Sequence, residues 1–441
     1  MDSNPIQQRI NMLVEKWTVA INTPGIKIVR VLGEHDDEDM LNTLFEYMLA
    51  VDSDQEDFVM VLQEPFSNHQ EYGKHLLEEI EEEINLWNTA KLPEGFPFDP
   101  IEWKPDYTLG NEKNVTRLLV ENLNNFANYL IPEQNIKISI VIRMYGVGKT
   151  AAHFWLSELL RMETAPHLVF GICDLKTNAV FDRISREQEV YTLYPELDMD
   201  EAMEQLTALG DPTAKETPYR ISLVKLMNGV KNRKPKEVSE HSKNCLTIAA
   251  EELKNDPNWL TQIVTVYTIL YHDQVGYKDY DRGIYFADKA VEAAMHTPKL
   301  IPLEMSNRLI GQTHIGRGTL YSVKKKWETA NKDFEVAKKA YHECNDYVME
   351  TESYRLCGWT NEKMGASYQA DQQYIEAYGL LHKLPVELVK GSSFPFIVQK
   401  LLDSTERYKH ISNKQMDEDL RPIWGENWSL EIKKIGKFKQ L

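Results

Sequence analysis

One stretch of this 441-residue chain combines residue types and spacing that could do chemistry. Arg143-Met-Tyr-Gly146-Val-Gly148-Lys149-Thr150 follows an apolar, β-branched run and opens a segment with helical periodicity. In a phosphate-binding loop, backbone N–H groups cradle phosphate oxygens, a lysine neutralises them and a hydroxyl holds magnesium. Gly146, Gly148, Lys149 and Thr150 are therefore the candidate cofactor-binding residues, with ATP and magnesium as the ligand. Two positions oppose that reading. Arg143 stands where the loop needs its first glycine to turn sharply, and Tyr145 where a small residue is usual. The next strand ends at Cys173-Asp174, 25 residues after Lys149, without the adjacent acid pair that would hold magnesium and water. The competing reading is a strand-to-helix turn capped by Thr150, whose helix buries Phe154, Trp155, Leu159 and Leu160. On balance no cofactor is expected.

The Gly-Val-Gly-Lys-Thr tail resembles the loop of signal-transducing (STAND-type) NTPases, which join an ATPase module to helical repeats. Over about eight residues the resemblance implies a nucleotide-controlled switch, and its departures imply a decayed loop.

Other constellations are weaker. Twelve histidines form no His-Glu-x-x-His pattern, and no Gly-x-Ser-x-Gly elbow occurs. His342 and Cys344 are two apart on a helix and point different ways. No catalytic or metal-ligating residues are expected. The acidic run Glu34 to Asp39 lacks the ligand order of a calcium loop and is read as the start of a helix.

The elements around the loop alternate. Ile26–Leu32, Asp57–Leu62, Ile136–Ile142 and His167–Cys173 are rich in β-branched residues, as strands buried on both faces are. Glu38–Leu49, Asn68–Trp87 and Asn114–Leu130 carry apolar residues at helical spacing. Residues 92–107 hold four prolines and are read as an irregular crossing. The pattern predicts an α/β domain over 1–195, with a mostly parallel sheet of Rossmann or phosphate-loop type and the loop after its third strand. An acidic linker over 196–217 follows.

From residue 218 to 384 strand signals vanish. Four helix pairs are predicted: Tyr219–Asn228 with Glu237–Leu253, Trp259–His272 with Tyr280–Ala294, Glu304–Val323 with Glu328–Cys344, and Tyr347–Lys363 with Gln369–His382. Gly318, Tyr321, Ala330, Phe334 and Ala337 in the third pair, and Gly358, Ala370, Tyr374 and Ala377 in the fourth, resemble the tetratricopeptide repeat. The second pair keeps Gly283, Ala287 and Ala290. Gly283, Ala330 and Ala370 lie 47 and 40 residues apart, longer than the family's repeat of about 34. The resemblance implies a protein-binding array whose groove is lined by the first helix of each pair, at Gln312, Thr319, Arg355, Trp359 and Glu362. The Lys and Asn pattern that clamps a C-terminal carboxylate in some such arrays is absent.

After Pro385, Phe394–Tyr408 is read as a closing helix. Trp424 and Trp428 are candidate tail anchors, for a partner or for the chain's own core. Lys433, Lys434, Lys437 and Lys439 give a basic end.

Composition narrows the partners. The net charge is −18, and residues 1–100 hold 21 Asp and Glu against 6 Lys and Arg, which repels phosphate backbones. No apolar run is long enough for a membrane helix and no secretory signal is visible. Four scattered cysteines suit a reducing cytoplasm. The chain is thus expected to be a non-enzymatic cytoplasmic adaptor or chaperone for a protein client, with no nucleic-acid or membrane partner. An acidic α/β head with long-spaced repeats loosely resembles accessory proteins of bacterial contractile, type VI-like secretion machines, which implies an effector or spike component as client. A nucleotide-controlled switch and a structural subunit of a larger assembly are the alternatives.

Overall fold

The computed structural model describes residues 4–49, 57–90, 100–109, 114–211 and 213–438, with side chains as far as Lys434. Two compact units divide at Leu206 and Thr207.

In the first unit the order is α1 (Pro5–Ile21), β1 (Ile28–Gly33), α2 (Glu38–Leu49), β2 (Phe58–Leu62), α3 (Tyr72–Thr89), α4 (Val115–Leu130), β3 (Ile138–Ile142), α5 (Lys149–Leu160), β4 (Leu168–Leu175), β5 (Val190–Leu193) and α6 (Met199–Ala208). All strand pairs are parallel, in the order β2-β3-β4-β1-β5. Strand periodicity separates two cores. Ile138, Ile140 and Ile142 face α3, α4 and α5, where Ile80, Leu119 and Trp155 are buried. Val29, Val31, Val141 and Val169 face α1 and α2 around Trp17 and Phe45.

Three elements depart from the sequence reading. Helix α1 was not expected; Asn4 caps it by accepting from the Gln7 backbone at 2.9 Å, and Pro5 opens it. Strand β5 near the end of the α/β domain was not read as a strand, and the stretch read as a linker holds α6, which buries Ala202. Both are short, and their neighbours supply the burial that their own sequence does not advertise. The acidic run does start a helix: Asp37 Oδ2 accepts from the Glu34 backbone N–H at 2.8 Å, and α2 follows at Glu38. Residues 100–109 contain no helix or strand, while 92–99 of the predicted crossing lie outside the described residues.

The second unit is a run of helical hairpins: α7 (Glu216–Lys231) with α8 (Pro235–Glu252), α9 (Trp259–Gly276) with α10 (Tyr280–Met295), α11 (Leu303–Val323) with α12 (Trp327–Glu343), and α13 (Tyr347–Lys363) with α14 (Ser367–Tyr378). One turn recurs in all four. Arg233, Lys278, Lys325 and Gly365 take positive φ of 52°, 60°, 58° and 75°. The next N–H then reaches five residues back, from Lys234 to Gly229, Asp279 to Gln274, Lys326 to Tyr321 and Ala366 to Asn361, at 2.8–2.9 Å. This is the Schellman closure of a helix end. Only Gly365 announces it by residue type.

Packing inside the hairpins depends on glycine. A Cβ at Gly318 would meet Phe334 Cε1 at 2.6 Å, and one at Gly358 would meet Tyr374 Cε1 at 2.4 Å. An ionic network, buried at Asp333 and His314, ties three helices together. Asp333 of α12 accepts from His314 Nδ1 at 2.7 Å and from Arg317 Nη2 at 2.6 Å, while Arg317 Nη1 reaches Asp288 of α10 at 2.9 Å. Short α15 (Val386–Val389), then α16 (Phe394–Asp403), α17 (Asn413–Trp424) and α18 (Trp428–Phe438), close the array over Tyr374, Tyr378, Phe394, Leu401 and Leu420. The predicted closing helix is therefore present, but it stops at Asp403.

Candidate functional site

The glycine-lysine loop lies at the carboxyl end of β3. Gly146 has φ +73°, Gly148 is the N-cap of α5, and Lys149 and Thr150 occupy its exposed first turn. Thr150 does not cap the helix, because the N-cap position has no side chain to offer. Phe154 is also not buried: it is 62% exposed, with its ring 4.6 Å from that of His69. Arg143 does not fill the loop. Its guanidinium turns to Asn42 Oδ1 on α2 and lies 5.7 Å from the Tyr145 ring centroid. A cavity of about 770 Å³ along edge strand β2 takes Arg143 and Tyr145 in its wall, but none of Gly146, Gly148, Lys149 or Thr150.

Topology places this loop away from where an open α/β sheet binds ligands, the crevice at which adjacent strands send their connections to opposite faces. Strands β2 and β3 both lead to helices on one face. The reversal falls between β1, which leads to α2 on the other face, and β4, whose following segment buries Phe181 and Ile184 with α3–α5. That crevice carries Glu34, Asp37, Asp174 and Asp182 with Arg30 and Lys176. Lys176 pairs with Glu34, and Arg30 is held by Asp174 at 2.6 Å and Asp182 at 2.7 Å. Asp174 also accepts the backbone N–H groups of Val180 and Phe181, at 2.9 and 3.0 Å. The acid at the end of β4 is thus already saturated with donors. Burial holds the Asp37 carboxyl above its usual range, offset in part by its backbone hydrogen bond.

Thiol chemistry finds little support in the same geometry. Burial pushes the thiols of Cys173 and Cys245 up to about 12. Cys344 donates to the Tyr341 carbonyl at 3.5 Å while His342 bonds Glu350 at 3.0 Å, so the two side chains do not meet. Among the described residues no three His, Cys, Asp or Glu side chains are grouped to hold a metal.

The hairpins bring predicted residues together. Thr319 of α11 and Arg355 and Trp359 of α13 line one cavity of about 460 Å³. Helical spacing puts Arg355 and Trp359 on one face, and the short turn after α11 swings Trp327 across from them. The rings of Trp327 and Trp359 meet edge to face, 5.3 Å apart at 86°. Fully buried Phe334 also lines the cavity, with Ser322, Val323, Lys325 and Leu356. Asn331 ties α12 to α13 through Thr360 Oγ1 at 2.7 Å.

Two predicted groove residues lie outside this cavity. Gln312 is exposed two turns earlier on the same face of α11. Glu362 is taken by Lys400 at 2.8 Å and by the Tyr374 hydroxyl at 3.1 Å. Trp327, Lys325 and Val323 were missed; a tryptophan directly after three lysines was the available signal. The predicted tail anchors belong to the chain's own core. Trp428 is 9% exposed and donates to Asp417 at 3.0 Å, and Trp424 packs beside it, half-buried. Of the basic end, Lys433 and Lys434 are exposed, and Lys434 pairs with Glu431. The Lys437 side chain and Lys439 lie outside the described residues.

No helix among the described residues is long and apolar enough to cross a membrane. No family model and no curated protein matches the chain. Among solved structures, the chain is similar to the crystal structure of BtubC (BKLC) from P. vanneervenii. That match has 13% identity and a TM-score of 0.29, over 52% of this chain and 93% of that one.

Proposed function

We propose that this chain is a non-enzymatic adaptor of tetratricopeptide-like design that holds a partner protein against α11 and α13. The observation that carries the reading is the convergence of Thr319, Arg355 and Trp359 on one aromatic cavity. Partner surfaces anchor through buried aromatics in such pockets. A cytoplasmic setting fits four cysteines that are all free. The finer client class, an effector or spike component of a secretion machine, rests on sequence resemblance alone; nothing in the cavity selects it.

A nucleotide-controlled switch is the weaker reading. Lys149 and Thr150 are exposed outside the sheet's crevice, and the acid of β4 is committed to Arg30 and two backbone amides.

A photo-crosslinking residue introduced in place of Gln312 or Thr319 in the native cell tests the adaptor. A discrete protein adduct is expected, lost on Trp359→Ala and absent when the probe replaces Lys332 on the exposed face of α12. No adduct, or an equal one from position 332, counts against it. Calorimetry with ATP and ADP should give no heat; heat abolished by Lys149→Ala would put the switch in its place.

A further inference from the structure

We infer that the α11–α12–α13 cavity receives an aromatic or branched aliphatic side chain carried on an acidic segment of the partner. The inference rests on the adaptor reading and adds the chemistry of what is bound. The lining is apolar where it is deep, at Trp327, Trp359, Phe334 and Leu356, with Val323 at its exposed edge. Its hydroxyls are already engaged. Thr319 donates to the Ile315 carbonyl at 2.8 Å and Ser322 to that of Gly318 at 2.9 Å, as helical Ser and Thr commonly do. These hydroxyls are therefore not free to donate to a small polar ligand. At about 460 Å³ the space lies near the low end of ligand-sized cavities, which run from roughly 300 to 1,000 Å³. It suits a side chain or two rather than a folded surface.

The rim has the opposite sign to the rest of the molecule. Lys325 lines the cavity and projects from its left-handed turn, and Lys363 stands 5.9 Å from the ring centroid of Trp359. Among the described residues neither of these two ammonium groups forms an ion pair with a carboxylate. Their neighbours do: Lys324 pairs with Asp281, and Arg355 forms a fork on Glu352 with contacts of 2.7 and 2.6 Å. In a chain of net charge −18, two unpaired lysines at one cavity steer acidic segments toward it and turn basic ones away. Tryptophans and lysines could also stack and pair with a single-stranded nucleic acid, but the overall charge opposes a phosphate backbone.

The test uses the full chain and three fluorescent short peptides: a phenylalanine flanked by Asp and Glu, the same peptide with glycine in its place, and the phenylalanine flanked by lysines. Anisotropy should show the acidic phenylalanine peptide binding at least about ten-fold tighter than either control, as removal of an anchor worth 1.4 kcal/mol or more requires. Salt should weaken it. The charge reversal Lys325→Glu with Lys363→Glu changes only exposed side chains and should abolish the preference, and Trp359→Ala should remove binding to all three. Equal binding of the lysine-flanked peptide, binding of none, or indifference to charge reversal overturns the inference. So does preferential binding of oligothymidylate, or a dimer in sedimentation that Trp359→Ala dissolves. The adaptor reading stands or falls separately. If only the charge inference fails, the crosslink from position 319 survives the Lys325→Glu, Lys363→Glu change. If the adaptor fails, no groove position gives one.

Discussion

Gly358→Ala should destabilise the hairpin array, although alanine is the better helix former. Two effects oppose each other. Replacing glycine inside α13 gains about 1 kcal/mol of helix propensity. Against this, the new methyl would lie 2.4, 2.6 and 2.9 Å from three ring atoms of Tyr374. That ring is 1% exposed, and its hydroxyl is fixed on Glu362 at 3.1 Å, so it has nowhere to turn. Overpacking of this kind costs about 1–3 kcal/mol, and three close contacts put it at the upper end. The net loss is about 1–2 kcal/mol. At about 2–4 °C per kcal/mol for a unit of this size, melting of the array should fall by about 2–8 °C. Gly276→Ala supplies the control, since a Cβ there meets nothing within 4 Å. It should raise stability by about 0.5 kcal/mol. Hydrogen exchange of the α13 and α14 amides localises the effect, alongside thermal unfolding of the full chain. A Gly358→Ala protein as stable as the parent would refute the close-approach argument, as would equal losses at both glycines.

Other perturbations follow from the ionic groups and turns. Asp174→Asn should cost the sheet about 3 kcal/mol, at the low end for breaking a buried pair because Asp182 still holds Arg30, and urea unfolding of the first unit reads it. For Asp333, burial raises the carboxyl, but hydrogen bonds from His314 and Arg317 and the Arg317 charge outweigh it and hold it below 3.8. Its stabilisation is therefore complete above that value and is lost as pH falls. Asp333→Asn should lower the array's stability near neutrality and flatten its pH dependence between about pH 5 and pH 2. A variant with unchanged acid unfolding would show that the network contributes nothing. Lys278→Gly relieves a left-handed residue in the α9–α10 turn and should raise the array's melting temperature, with up to about 1 kcal/mol available; a lower melting temperature would contradict the strain.

The sequence by itself determined the layout: strands of β-branched residues alternating with amphipathic helices, then four helix pairs with small residues where two helices must touch. Those signals are local, because burial on one or both faces imposes a period of two or of 3.6 residues whatever the partner. It also picked out Thr319, Arg355 and Trp359. The tertiary structure alone decided what surrounds those residues. Trp327 reaches Trp359 only because Lys325 turns left-handed, a conformation its residue type does not announce. Trp428 could serve a partner or the chain's own core by sequence, and it is core because α16 and α17 supply the covering surface. The place of the glycine-lysine loop in the sheet was likewise a matter of topology: β3 is not the strand beside the sheet's reversal, and strand order follows from long-range pairing that no local pattern encodes. Arg30 and Asp174 lie 144 residues apart, and only the parallel pairing of β1 with β4 brings them within reach, diagonally, two residues out of register.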